Sequence, residues 1–348
     1  MATESTLYDH PELGKLKGQS LQDGLVQFRN VPYATIPSRW KPSKIVNDLR
    51  SNHSGKDYYD ATVWGPIPPQ HSDSIGFDFG LIQKSLPVDH PLVCDEEECL
   101  NLVLTLPSVE ATNVPVIVFI HGGGFFIGCN GWPQYDLASL VRQAQKDGKP
   151  FVGVGINYRL GLLGFMASRE MSGDDVVGNF GLHDQATALR WIQRHISGFG
   201  GDPENVTVFG ESAGAISTWM HLLRGEPLFK RAMAMSGDPR LRPVQSIETN
   251  ELVYASLVRE MGCADATEAE RVRVLKGIPW QKIIATPLNM RCFPSENGGF
   301  KALSEDPQDL RKQIIQCLDW CKTIVVGDCD LDVRKLAALM KNFLTPYQ

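Results

Sequence analysis

The chain of 348 residues has eight histidines, and none of them lies beyond His221. It also lacks any apolar run of the roughly 18 residues that a bilayer-crossing helix needs. No cluster of Lys and Arg stands out and the net charge is −6, which argues against nucleic acid and anionic membranes as partners. Residues 1–14 are polar and acidic, without the basic-then-apolar pattern of a secretory leader, so a soluble cytoplasmic protein is expected. The eight cysteines (Cys94, Cys99, Cys129, Cys263, Cys292, Cys317, Cys321 and Cys329) include no Cys-x-x-Cys pair and no Cys/His cluster. Metal binding is therefore not expected and no cofactor is called for. Without secretion the thiols should be reduced and mostly buried. No repeat, low-complexity tract or signal for an oligomeric state is present.

What the chain does have is the stretch Val206-Thr207-Val208-Phe209-Gly210-Glu211-Ser212-Ala213-Gly214-Ala215. It reads as a β-branched strand, a Gly-x-Ser-x-Gly turn, and a helix from about Ala213 to Leu223. This is the context that turns a weak pattern into a nucleophile elbow. Ser212 sits on a turn too sharp for ordinary backbone angles, which lifts its Oγ clear of the strand end. Gly210 and Gly214 lack side chains because strand and helix pass almost in contact. A helix-capping serine in a glycine-rich turn is the plainer alternative, and the strand before and helix after it count against that.

A hydrophobic content of 43% suits one large α/β domain over residues 1–348, with the sheet core in 10–240 and a mainly helical region in 241–348. Gly14 to Tyr33 alternates like a small antiparallel hairpin region, and Pro32 to Pro91 reads as loops and short helices beside a cleft. Strands are expected at Cys99 to Leu106, Val116 to Ile120, Phe151 to Tyr158 and Ala232 to Met235. The apolar stripe of Leu182, Ala186, Leu189, Ile192 and Ile196 predicts a helix over Leu182 to His195. Strand and helix alternating at this spacing imply a mostly parallel, doubly wound sheet with helices on both faces. Beyond Gly237 the pattern predicts helices at Glu251 to Met261, from a capping box at Thr267-x-x-Glu270 to Lys276, at Asp309 to Trp320 and at Val333 to Phe343. A strand is expected at Thr323 to Val326.

Acyl transfer to a serine needs an activated oxygen, a base and donors for the oxyanion. His121-Gly122-Gly123-Gly124 follows the Val116 to Ile120 strand, where such enzymes place half of the oxyanion hole. Gly123 and Gly124 are the expected donors, with the Ala213 amide as the third. A phosphate cradle is the other reading, but no Lys or Ser/Thr follows as a P-loop requires.

Together with Phe28 to Ala34, Glu98 to Leu102, Asn157 to Gly161, Asn179 to Gln185 and Gly200 to Ala215, these segments resemble the type-B carboxylesterases. That family includes the cholinesterases, and the resemblance is strongest to its intracellular fungal branch. It covers residues of about 10 to 240 in family order. It implies an α/β-hydrolase fold and a carboxylic ester hydrolase working through an acyl-serine on Ser212, with a small-molecule ester as substrate. Fungal relatives add, by association alone, a secondary-metabolite setting. In many secreted members the cysteine matching Cys99 pairs with an upstream one; here none precedes Cys94.

By the same resemblance the acid falls at Asp332, after the Thr323 to Val326 strand, with Asp328 and Asp330 as rivals. The base should follow the acid in sequence. His221 lies nine residues into the elbow helix, roughly 13 Å along its axis, and points away from the turn. His121 is expected to hold the glycine loop by a hydrogen bond. The family's histidine lies in a region beyond the match, so a catalytically impaired, truncated, carboxylesterase-like binding protein is the competing expectation. The loops Trp64 to His90 and Cys129 to Asp136 are expected to shape the acyl and alcohol pockets.

Overall fold

The computed structural model describes residues 4–50, 55–172, 178–239, 244–295, 300, 304 and 306–328. The strands are β1 (Ser5–His10), β2 (Gly14–Ser20), β3 (Val26–Pro32), β4 (Ala34–Thr35), β5 (Lys44–Ile45), β6 (Tyr59–Asp60), β7 (Asn101–Leu106), β8 (Val114–Ile120), β9 (Val152–Ile156), β10 (Gly201–Glu211), β11 (Arg231–Met235) and β12 (Thr323–Gly327). The helices are α1 (Ser74–Ile82), α2 (Ala138–Lys146), α3 (Gly161–Phe165), α4 (Arg169–Ser172), α5 (Phe180–His195), α6 (Ala213–Arg224), α7 (Ile247–Glu260), α8 (Glu268–Gly277), α9 (Trp280–Ile284) and α10 (Pro307–Leu318).

The main sheet runs in the order β1-β2-β3-β7-β9-β8-β10-β11-β12, with β6 beside β2. It is mixed. From β1 to β9 the neighbours pair antiparallel, and from β9 to β12 they pair parallel. The parallel half contains the expected α/β crossovers, and the antiparallel half grows from the amino-terminal meander. The alternation in Ser5–His10 escaped the sequence reading because the segment is polar; its side chains pair with β2 at an edge that faces water.

The central strands are covered on both faces. All five residues of β9 are buried, as are all six of β7. One continuous apolar core takes in Leu13, Phe28, Leu104, Val118, Trp191, Met220, Leu257 and Cys321, so the helical region after β11 packs into the same interior as the sheet. The capping box at Thr267 is not formed: Thr267 is the N-cap of α8, but its side chain accepts no cap hydrogen bond. Its backbone carbonyl accepts from Glu270 and Arg271 instead. The caps with side-chain bonds are Ser246 on α7 and Asp306 on α10, which begin those helices four and two residues earlier than expected. The expected helix at Val333 to Phe343 lies outside the described residues.

Register sets where the chemistry falls. Gly210 pairs with Ile120 across β10 and β8, and Glu211 with Met235 across β10 and β11. Met235 pairs in turn with Gly327 on β12. Four parallel strands therefore end at one edge. Past the ladders the Ser212 amide still donates to the Met235 carbonyl at 2.9 Å, and that of Ser236 to Gly327 at 2.7 Å. That edge carries the glycine loop, the elbow and Asp328.

Candidate active site

Ser212 stands between the end of β10 and the start of α6 with φ 54° and ψ −118°. Such angles are costly for a residue with a Cβ and persist only where the surroundings over-determine them. Here they do so by contact. A Cβ on Gly210 would lie 2.3 Å from the Gly214 carbonyl carbon and oxygen, and one on Gly237 would lie 2.3 Å from the Ser212 carbonyl oxygen. The turn is thus clamped from both sides, and Ser212 remains half-buried. No described group hydrogen-bonds its Oγ.

The first intrahelical bond of α6 runs from the Ile216 amide to the Ser212 carbonyl at 3.0 Å. The amides before it, Ala213 included, have no partner within the helix, and they sit at the positive end of its dipole. The glycine loop faces them. A Cβ on Gly122 would come within 3.3 Å of the Ser212 Cβ, so loop and elbow are in direct proximity. Gly123 and Gly124 adopt φ values of +94° and +62°, which favour glycine. The Gly123 carbonyl accepts from the amides of Phe126 and Ile127, both at 3.1 Å, closing the loop on itself. No described acceptor takes the Gly123 or Gly124 amide.

His121 is buried, and its Nδ1 donates to the Gly122 carbonyl at 2.9 Å. In a trans peptide the next N–H points opposite to that carbonyl, so the bond also aims the Gly123 amide. Burial holds the His121 pKa down at about 4, which keeps the ring neutral with its proton on Nδ1. Tyr158 stacks on the ring at 4.5 Å and donates its hydroxyl to the His121 carbonyl at 2.9 Å. The position of His121 as the loop's brace was expected; that Tyr158 braces it in turn was hidden in Asn157-Tyr158-Arg159. There Arg159 forms a buried ion pair with Asp184, with Nε 2.7 Å and Nη2 2.8 Å from its oxygens.

Of the other described histidines, His71 is exposed and the rest are engaged elsewhere. His221 donates to Gln185 Oε1 at 2.9 Å and lies against Phe300, away from the elbow as its helix position demanded. Burial drops its pKa to about 3. His183 also meets Phe300 edge to face. His10 accepts from the amides of Glu12 and Leu13 and donates to the His195 carbonyl, while His195 lies 3.1 Å from Glu12. His90 pairs with Asp89 and stacks on Trp64. No described histidine hydrogen-bonds Ser212. Asp332 and Asp330 lie outside the described residues, whereas Asp328 directly follows β12 at the elbow's edge.

The two loops expected to shape the pocket meet in one apolar cluster. Ile67, Ile75 and Phe77 from the first pack with Cys129, Trp132 and Tyr135 from the second, together with Leu92, around Phe126 and Ile127 of the glycine loop. Among the described residues no group of three or more metal-ligating side chains converges, and no helix is long and apolar enough to cross a membrane. The seven described cysteines are free thiols, six of them buried.

A mixed sheet with a strained serine beside a glycine loop has close counterparts. The model of the carboxylesterase family matches residues 7–327. The chain belongs to the carboxylesterase family. This carboxylesterase-family chain is 34% identical over 237 residues to the para-nitrobenzyl esterase of Bacillus subtilis, covering 66% of this chain and 43% of that protein. It is 35% identical over 284 residues to the phenmedipham hydrolase of Pseudarthrobacter oxydans, covering 79% and 50%. In three dimensions it resembles a thermophilic PNB esterase with TM-score 0.74 and 28% identity, covering 99% of this chain and 65% of that one. Its fold is that of the α/β-hydrolase esterases. The chain spans about half the length of the curated relatives it matches.

Proposed function

We propose that this chain carries the nucleophile and the oxyanion hole of a carboxylic ester hydrolase that works through an acyl-serine on Ser212. The observation that carries the proposal is the strained, half-buried Ser212 in direct proximity to Gly122 of the glycine loop, whose Gly123 and Gly124 amides have no described acceptor, and next to the first-turn amide of Ala213. In this reading Ser212 Oγ attacks the ester carbonyl carbon and gives its proton to a base. The carbonyl oxygen becomes an oxyanion and accepts from Gly123, Gly124 and Ala213. Collapse expels the alcohol and leaves the acyl group on Ser212, and water then releases the carboxylic acid. Preformed donors of this kind contribute about 10²–10³-fold each to such a step.

Asp332 is the proposed acid, supported by β12, which ends at the elbow's edge shortly before it in sequence. The base is proposed to come from outside the described residues, since every described buried histidine has another partner or packs away from the turn. The continuous core supports reading residues 1–348 as one domain. A small-molecule ester is the proposed substrate class, in keeping with the relatives' names.

The commitment of His221 to Gln185 favours a second reading, in which the chain binds an ester-like molecule without turning it over. Hydrolysis of p-nitrophenyl acetate by the purified chain and by Ser212→Ala separates the two. Turnover in the parent well above the alanine variant supports hydrolysis. Equal rates leave only binding, and a base-less site should show no more than about 10³–10⁴-fold over water.

A further inference from the structure

Helix α1 carries an acidic residue that is out of place in an apolar segment. Asp78 is 5% exposed, lies among Ile75, Phe77 and Phe79, and forms no ion pair with any described cation. Burying a carboxylate in this way is costly unless hydrogen bonds compensate it. One does: Gln134 Nε2 donates to Asp78 Oδ2 at 2.6 Å, and the neighbouring Tyr135 hydroxyl also favours the charged form of the carboxylate. Both residues lie in the loop that follows the glycine loop.

From that anchor two routes reach the amides of the oxyanion loop. On the polar route, the Tyr135 ring lies parallel to Trp132 and His121, at 5.9 Å and 6.3 Å between centroids. His121 in turn fixes the Gly122 carbonyl and hence the direction of the Gly123 N–H. On the apolar route, Ile75 and Phe77 of α1 pack in one cluster with Phe126 and Ile127. The Phe126 ring presses on Gly124, where a Cβ would lie 2.6 Å from its Cε1.

We propose that Asp78 is a positioning residue for the oxyanion loop, holding α1 and Tyr135 so that the Gly123 and Gly124 amides keep their direction. The inference rests on the hydrolytic reading of Ser212 for its kinetic consequence and on the contacts alone for its structural one. A brace on the oxyanion donors acts in the transition state more than in substrate binding.

The test uses p-nitrophenyl acetate, whose acyl group is short. Asp78→Ala should lower kcat about tenfold or more with KM within about twofold of the parent. Asp78→Asn, which keeps an oxygen to accept from Gln134, should recover most of that loss. An unchanged kcat in Asp78→Ala, a loss confined to KM, or an equal loss in Asp78→Asn overturns the proposal. A second measurement needs no turnover: amide spectra of ¹⁵N-glycine-labelled protein carrying Ser212→Ala. There Asp78→Ala should move the Gly123 and Gly124 resonances, while Ile82→Ala, at an exposed position of the same helix, should not. Unmoved glycine resonances overturn the proposal. If the parent hydrolyses nothing, the hydrolytic reading falls and these resonances decide the brace by themselves. If Asp78→Ala does not fold, Gln134→Ala removes the same bond from the other side and carries both measurements.

Discussion

Gly214 lies so close beneath Ile120 that a Cβ on it would sit 2.0 Å from the Ile120 carbonyl oxygen. The contact joins the first turn of α6 to the end of β8, and so fixes the distance between elbow and glycine loop. Neither backbone can retreat, because Ile120 is paired to Gly210 and Ile156 in the sheet. Gly214→Ala is therefore expected to cost about 3 kcal/mol in urea denaturation, at the upper end of overpacking effects. Gly80 in α1 meets no atom within 4 Å of its would-be Cβ. Gly80→Ala should stabilise by about 0.5–1 kcal/mol through helix propensity. Equal effects at the two sites would refute the steric account.

The loop's own geometry gives a kinetic prediction. A Cβ on Gly128 would lie 2.4 Å from His121 Nδ1 and 3.0 Å from the Gly122 oxygen, between the two atoms of the bond that aims the Gly123 amide. If the hydrolytic reading holds, Gly128→Ala should lower kcat on p-nitrophenyl acetate by about 10²-fold and leave KM nearly unchanged. A change in KM alone would place Gly128 in substrate binding instead.

Arg159 and Asp184 are both essentially excluded from solvent, at 2% and 0% side-chain exposure. Removing one charge strands the other. Asp184→Asn should cost about 3–5 kcal/mol, whereas replacing both by apolar residues of similar volume should cost far less. A double variant as unstable as the single one would show that the pair itself, rather than its imbalance, holds the region.

Two fully buried histidines give the pH dependence its sign. His121 and His221 have folded pKa values of about 4 and about 3, against 6.5 for a free histidine, because burial disfavours the imidazolium. Between those values the unfolded chain binds more protons than the folded one, so acid pulls toward unfolding. Stability should be flat with respect to these groups above about pH 6.5. It should fall by about 1.4 kcal/mol per pH unit for each histidine as the pH drops toward 4. Denaturation midpoints at pH 7.5, 6 and 5 check this, and replacing His221 by Gln should flatten part of the slope.

The strand leading to the glycine loop was legible because it is largely buried on both faces. Val116 to Ile120 reads as an unbroken apolar run and lies inside β8, and the elbow helix begins at Ala213 as its glycines required. Local glycine chemistry located the glycine loop: a turn that excludes a Cβ leaves a signature in sequence. What escaped was set by contacts between distant segments. Asp78 sits in a stretch without periodicity, and its meaning lies wholly in Gln134 and Tyr135, more than fifty residues away. Tyr158 was visible only as part of a resembling segment. The capping box at Thr267 failed because a backbone carbonyl met the helix amides that the side chain would have taken. The proposed acid at Asp332 lies outside the described residues.

The pairing of β11 with β12 has a consequence for how the chain is made. Residues 231–235 must wait for residues 323–327 before their outer edge is filled, and α7 to α10 are synthesised in between. While the ribosome adds those helices, a strand of alternating alanine and methionine offers open hydrogen-bonding groups to any passing chain. Parallel pairing across so long a separation closes slowly, because the loop entropy is spent before the ladder forms. Refolding yield should therefore fall with protein concentration, and a chaperone that shields the nascent edge should restore it.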